Sequence, residues 1–139
     1  MRIGLIRHAT LRIEAGGRRL LVDPQLDPAG TRPAVANTPN DRRNPLVDLP
    51  ERAQSIAAGV EGVLVTHLRA DHLDATAVEV LPKEVPVLCQ PPDATALRER
   101  GFADVHPIEE VLDWGALRVT RTTGGGLPRA SPPNPGRAA

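Results

Sequence analysis

The chain has 139 residues, enough for one domain with a real hydrophobic core. Lysine plus arginine and aspartate plus glutamate each number 17, so the net charge of zero gives no reason to expect nucleic acid or an anionic membrane as a partner. The single cysteine, Cys89, excludes an internal disulfide and is interpreted as a buried thiol. Neither a signal peptide nor an apolar run of the roughly 20 residues that span a membrane is visible, so we expect a cytoplasmic protein.

The first residues predict an antiparallel start to the fold. Residues 1–6, 9–14 and 18–23 have the pattern of strands, and Gly16-Gly17 suits a hairpin turn with positive φ. A loop rich in proline and asparagine follows over 23–50, and loops of this length inside a domain are usually functional or disordered.

Helices and strands alternate after this loop. Asp48 and Glu51 resemble a capping box for a helix whose apolar stripe ends at Val60, before a buried strand at 62–65. The further predicted elements are a helix from its cap Asp74 through Leu81, a strand at 85–89, a helix at 93–100 stopped by Gly101, and a last strand at 116–122.

These elements predict an α/β fold of the α+β type, with a mixed sheet that opens with an antiparallel hairpin and is flanked by helices. We expect it to occupy residues 1–123. The remaining segment, 124–139, is rich in glycine and proline, and its composition predicts a disordered tail.

The segment after the strand at 62–65 carries the chain's most informative motif. It reads Thr66-His67-Leu68-Arg69-Ala70-Asp71-His72, and imidazoles with a carboxylate form a ligand set that favours zinc, with manganese or iron as alternatives. A chelating loop of the form His-x-His-x-Asp-His would place another imidazole at position 69, where Arg69 stays protonated and cannot bind a cation. We therefore expect a weakened metal site at His67, Asp71 and His72. The alternative is an ordinary polar surface loop.

The chain resembles the metallo-β-lactamase fold superfamily, and within it zinc-dependent hydrolases similar to ascorbate-6-phosphate lactonase. The resemblance lies in three parts of the sequence: this loop, the segment 7–14, and the strand at 20–24 that ends in Asp-Pro. The resemblance implies that His67 binds one metal ion, and that Asp71 and His72 bind the other. It also implies that the chain corresponds to a truncated amino-terminal half of an αββα sandwich, because the later ligands of the family have no counterpart after the strand that ends near Thr123.

The activity implied by the resemblance is attack of metal-activated water on a small ester, lactone or phosphoester, with Asp71 also holding the water. Arg69 and the missing ligands predict that this chain is impaired or inactive. His8, Asp23 and Arg69 are expected to border the pocket, with Asp23 orienting a histidine ligand and Arg69 a candidate contact for an anionic group. Weaker candidates for substrate contacts lie in the long loop: Asn37, Asn40, Arg42, Arg43 and Asn44.

Two alternatives remain open. The chain could be a non-catalytic half-domain that forms a homodimer through an uncovered sheet face. Arg7-His8 also resembles the start of the histidine phosphatases, with His8 as nucleophile, although the later arginine and histidine of that family are not visible. His106 is interpreted as a local structural residue.

Overall fold

A mixed sheet dominates the computed structural model, which describes residues 1–122. Its strands are β1 (Arg2–Arg7), β2 (Thr10–Ala15), β3 (Arg18–Val22), β4 (Gly62–Val65), β5 (Val87–Cys89) and β6 (Val105–Pro107), and β7 (Val111–Trp114) and β8 (Leu117–Thr120) form a separate hairpin. The helices are α1 (Ala53–Ala57), α2 (Ala75–Val80) and α3 (Ala94–Glu99), the last preceded by a 3-10 turn over Pro91–Asp93.

The six strands lie side by side in sequence order. The strands β1, β2 and β3 pair antiparallel, and β3 to β6 pair parallel. Gly16 and Gly17 form the predicted turn with φ of 57° and 72°, which glycine adopts without a Cβ clash. The predicted mixed sheet that opens with an antiparallel hairpin is therefore confirmed.

The core lies between one face of the sheet and the helices. Leu21, Val63 and Val87 are neighbours across β3, β4 and β5, and all three belong to the buried cluster that also contains Ile56 and Leu97 of α1 and α3. The hairpin of β7 and β8 lies on the opposite face, where a Cβ built at Gly62 would come within 2.6 Å of the Trp114 ring.

Two helix ends follow the local signals. Asp74 caps α2 by accepting a hydrogen bond from Ala77 N at 3.0 Å, as predicted. Gly101, with φ of 100°, ends the helical segment after α3, where Phe102 N donates to Leu97 O at 3.3 Å. No helix among residues 1–122 is long and apolar enough to cross a membrane.

The predicted start of α1 is wrong. The helix begins at Ala53, its N-cap Arg52 makes no side-chain capping bond, and Glu51 instead pairs with Arg12 at 3.1 Å. Pro50 explains the failure, since a proline biases the preceding residue away from helical φ and ψ. The helix also ends before Val60, because the chain turns at Gly59 with φ of 71°.

The end of the domain also differs from the prediction. The last strand spans only Leu117–Thr120 and pairs antiparallel with β7, which the sequence analysis did not predict, so the parallel crossovers stop at β6. Gly115, with φ of 60°, makes the turn of this hairpin. The predicted tail at 124–139 lies outside the described residues.

Candidate metal centre

The candidate metal loop, residues 66–72, follows β4 at the carboxyl edge of the parallel strands. Its backbone turns back on itself, because His72 N and Leu73 N both donate to Arg69 O, at 2.9 and 2.8 Å. Leu73 is buried in the core cluster and anchors the end of the loop. The turn thereby returns Asp71 and His72 toward the end of β4.

Asp23 meets this loop from the end of β3. Its Oδ1 accepts from Thr66 N at 2.7 Å, and its Oδ2 lies 2.5 Å from Thr66 Oγ1 and 2.8 Å from His72 Nδ1. The Asp23 residue is only 3% exposed. Because β3 and β4 are parallel neighbours, their ends lie at the same edge of the sheet and bring these residues together.

The three predicted ligands lie close to one another. His72 Nε2 is 3.6 Å from Asp71 Oδ2, and the His67 and His72 ring centroids are 5.1 Å apart. Two ligands on one tetrahedral zinc ion are about 3.3–3.5 Å apart, given bonds of about 2.0–2.2 Å, so the pair of Asp71 and His72 fits a shared ion. Within residues 1–122, however, no group of three or more histidine, cysteine, aspartate or glutamate side chains is arranged to hold a metal ion.

Two other predicted site residues, Arg69 and His8, have roles in the structure that differ from those of the three ligands. Arg69 is exposed, and its backbone carbonyl rather than its side chain makes the turn. His8 Nε2 accepts from Leu46 N at 3.1 Å, which holds the long loop. Partial burial, with further contributions from Arg7 and Arg32, lowers the pKa of His8, and Asp71 opposes this shift. His8 therefore supports the loop through a neutral imidazole.

The long-loop candidates are bonded mainly within their own loop. Asn40 Oδ1 accepts from Arg42 N at 2.9 Å, Arg43 Nε donates to Gly30 O at 2.8 Å, and Asn44 pairs through its backbone with Arg32. Asn37 is exposed and has a φ of 62°. In the part of the chain that the structure describes, none of the five candidates lines the cavity beside His67.

That cavity has a volume of about 380 Å³ and lies beside the metal loop. It is lined by the ends of β4 and β5, by Thr66, His67, Gln90 and Ile108, and by residues 119–122. Cys89 contributes to its wall, and burial raises the pKa of the thiol to about 11. At neutral pH this cysteine is protonated, which agrees with its interpretation as a buried thiol.

Arg7 is a buried residue whose role the sequence did not reveal. It is 2% exposed, and its guanidinium donates to Val47 O at 3.0 Å, Gln25 O at 2.6 Å and Asp27 O at 2.7 Å. Arg7 therefore fastens both ends of the long loop to β1. With those donors engaged, the structure gives no support to a phosphate clamp at Arg7 and His8.

Two further residues, Thr66 and His106, have defined side-chain partners. Thr66 contacts Asp23 and both imidazoles, and only its place directly after a buried strand hinted at this role. His106 lies on β6 with Nε2 2.6 Å from Asp104 Oδ1, which fits the local structural role predicted for it.

The known proteins similar to this chain include a curated bacterial protein and two solved structures. It is 35% identical over 126 residues to the UPF0173 protein YddR of Bacillus subtilis strain 168. It superimposes with a TM-score of 0.80 and 35% identity on a possible metal-dependent hydrolase from Veillonella parvula. For an isothiocyanate hydrolase from Delia radicum gut bacteria the TM-score is 0.76 and the identity 30%. No protein-family model matches the chain.

These alignments cover most of this chain but only half or less of each relative. They cover 89%, 84% and 82% of the chain, respectively, against 50%, 45% and 44% of the three relatives. The chain thus spans about half the length of the proteins it matches. It is a homologue of a UPF0173 protein and shares the fold of the matched half of a possible metal-dependent hydrolase, which agrees with the predicted metallo-β-lactamase-like resemblance.

Proposed function

We propose that the chain carries part of the active centre of a metal-dependent hydrolase, in which Asp71 and His72 share one metal ion, His67 binds another, and Asp23 orients His72. The observation that carries this proposal is the contact between His72 Nδ1 and the buried Asp23 carboxylate at 2.8 Å. A carboxylate on one ring nitrogen is the usual setting of a metal-binding imidazole, because it fixes the ring and leaves the other nitrogen free. Here the other nitrogen, His72 Nε2, faces Asp71.

Zinc is the proposed ion, with manganese or iron as alternatives, because imidazole and carboxylate ligands suit all three. When bound, such an ion supplies a water with its pKa lowered to about 7 and polarises the oxygen under attack. Asp71 is 66% exposed at its side chain, so its free oxygen can accept a hydrogen bond from an attacking water. The proposed reaction is hydrolysis of a small ester, lactone or phosphoester.

The cavity beside His67 is the proposed substrate pocket. Its wall combines apolar side chains such as Leu64, Ile108 and Val119 with the polar groups of Thr66 and His67. A wall of this kind favours a small substrate that is largely apolar around its reactive bond. Arg69 is exposed at the metal loop, and we propose that it contacts an anionic group of the substrate at the mouth of the site.

We further propose that the described residues alone give little or no activity. Residues 1–122 contain no three-residue metal cluster, and Arg69 stands where the family resemblance calls for an imidazole. The rival proposal is a non-catalytic, dimerising half-domain. It is favoured by Ile3 and Leu5 on the edge strand β1, which are 60% and 71% exposed.

A calorimetric zinc titration of chelator-stripped protein tests the proposal. We expect the wild-type chain to bind zinc, and His67→Ala and His72→Ala to abolish or strongly weaken that binding. His106→Ala is the matched control, because it removes an imidazole on β6 that pairs with Asp104. Zinc binding that is absent from the wild type, or equal in all the variants, would contradict the metal centre and leave the non-catalytic module.

A further inference from the structure

We infer that Thr66 is a positioning residue that extends the orienting effect of Asp23 to His67, so that one carboxylate fixes the tautomers of both histidines. The inference rests on the proposed function, because it concerns two of its metal ligands. It adds a residue that the motif spacing did not single out, and it assigns that residue a role that can be measured without metal.

The position of Thr66 is fixed from several sides. Its backbone N donates to Asp23 Oδ1 at 2.7 Å, while its backbone O accepts from Gln90 Nε2 at 2.6 Å. These bonds join the ends of β3, β4 and β5 and hold the residue that begins the metal loop. The Thr66 hydroxyl thus has a defined place between Asp23 and the imidazoles.

The direction of the hydroxyl proton follows from its partners. A carboxylate can only accept hydrogen bonds, and Thr66 Oγ1 lies 2.5 Å from Asp23 Oδ2. The single hydroxyl proton of Thr66 is therefore directed at Asp23. Since Asp23 is only 3% exposed, water competes poorly for this contact.

The lone pairs of Thr66 Oγ1 then face His67. Its Nδ1 lies 3.1 Å away, whereas His72 Nδ1 is farther from the hydroxyl, at 3.4 Å, and closer to Asp23, at 2.8 Å. Because the hydroxyl proton is already engaged, Oγ1 can only accept from His67, which requires the proton on Nδ1. Both histidines then carry their proton on Nδ1 and keep Nε2 free for a cation.

Nuclear magnetic resonance of the metal-free full chain tests this inference directly. Histidines labelled with 15N report which ring nitrogen carries the proton, and spectra recorded over a pH series identify the neutral form of each ring. Spectra of His67→Ala and His72→Ala assign the signals. We expect the proton on Nδ1 in both rings of the wild type.

Thr66→Val and Thr66→Ser separate a hydroxyl effect from a packing effect. Valine keeps the shape without the hydroxyl, so we expect the His67 signals to move toward the Nε2-protonated form while His72, still bonded to Asp23, changes little. Serine should restore the wild-type spectrum. Zinc affinity should fall about 10–100-fold in Thr66→Val, as for other groups that orient metal-bound histidines, and recover in Thr66→Ser.

The wild-type spectrum alone can overturn the inference, even if the valine variant does not fold. A proton on Nε2 of His67 in the wild type would do so, and so would a folded Thr66→Val chain with unchanged His67 signals. The zinc titration of the wild type is a separate measurement. A chain with both protons on Nδ1 that binds no zinc would contradict the proposed function and leave the role of Thr66 standing.

Discussion

Asp23 and His72 are 49 positions apart in the chain, and the Asp23 carboxylate meets the His72 ring at 2.8 Å. The register of two parallel strands builds this contact: Val22 pairs with Leu64, and Asp23 N then donates to Leu64 O at 2.9 Å. Asp23 itself has a φ of 44°, a conformation that aspartate and asparagine tolerate better than most residues. The sheet thereby delivers a buried carboxylate to the loop that begins on the next strand.

Replacing Asp23 by asparagine should weaken both the fold and metal binding. Asparagine tolerates the positive φ, but its amide nitrogen cannot accept, so a bond from Thr66 or His72 is lost. We expect the free energy of unfolding to fall by about 1–3 kcal/mol in chemical denaturation, and zinc affinity to fall about 10–100-fold in calorimetry. Asp41→Asn, in the exposed part of the long loop, is the control. Equal stability and zinc affinity in the two variants would contradict this role of Asp23.

We predict that the Asp74 side chain contributes more to the free energy of unfolding than the side chain of Asp93, which occupies the same N-cap position at α3. Its carboxylate caps α2 through Ala77 N at 3.0 Å and also accepts from Asp27 N at 2.7 Å, inside the protein. Asp74→Ala removes the cap, at about 1 kcal/mol, and leaves a buried donor unpaired, at about 1–3 kcal/mol.

Asp93 provides the matched control for this variant, since it occupies the N-cap of α3 without a side-chain capping bond. We expect Asp93→Ala to change the free energy of unfolding by less than about 0.5 kcal/mol, as surface substitutions usually do. Denaturant titrations of the two variants check the difference. Similar losses in both would mean that the Asp74 bonds do not stabilise the domain.

The sequence correctly predicted the turns and helix ends that depend on residues close together in the chain. Gly16-Gly17 marked the first hairpin, Asp74 marked the start of α2, and Gly101 marked the stop after α3, because each of these signals acts within a few residues. The capping box was misread because Pro50 lies between its two residues. The hairpin of β7 and β8 was missed although Gly115 was a visible turn signal.

The candidate site likewise combines residues that the sequence predicted with residues that it did not. The spacing of His67, Asp71 and His72 indicated a common loop, and the structure brings the three residues together at the end of β4. The Thr66 contacts and the burial of Arg7 could not be predicted, because both depend on strand register and on the path of the long loop. A buried arginine is also rare enough that a sequence gives little reason to expect one.

The exposed side of the edge strand should govern association if the chain forms homodimers. Ile3 and Leu5 on β1 are opposite Ile13 and Leu11 of β2, so this sheet face is apolar, and Leu5 is 71% exposed. We expect the wild-type chain to self-associate in sedimentation velocity and Leu5→Lys to shift it toward the monomer. Burial of apolar area on association is the physical reason.

Val35→Lys controls for the added charge, since Val35 is 61% exposed in the long loop, outside the sheet. It should leave association unchanged. A wild-type chain that sediments as a monomer and unfolds cooperatively, with Leu5→Lys indistinguishable from it, would contradict the dimer.

Position 69 should decide how tightly the loop binds metal. Arg69 makes the turn through its backbone carbonyl, with its side chain exposed, so a substitution there should preserve the loop. Arg69→His offers an imidazole two positions after His67 in place of a cation that repels the ion. We expect zinc affinity to rise by about tenfold or more, corresponding to about 1.4 kcal/mol, in the same calorimetric titration.

Arg69→Gln separates the two contributions to this gain, because it removes the positive charge without supplying a ligand of comparable strength. We expect it to bind zinc more tightly than the wild type and less tightly than Arg69→His. Equal gains in the two variants would show that charge alone weakens the site. If neither variant binds more tightly, position 69 does not face the ion.

The same two variants test the proposed substrate contact of Arg69. Loss of anionic-ester binding in both variants would support that contact, since both lack the guanidinium that holds the anion.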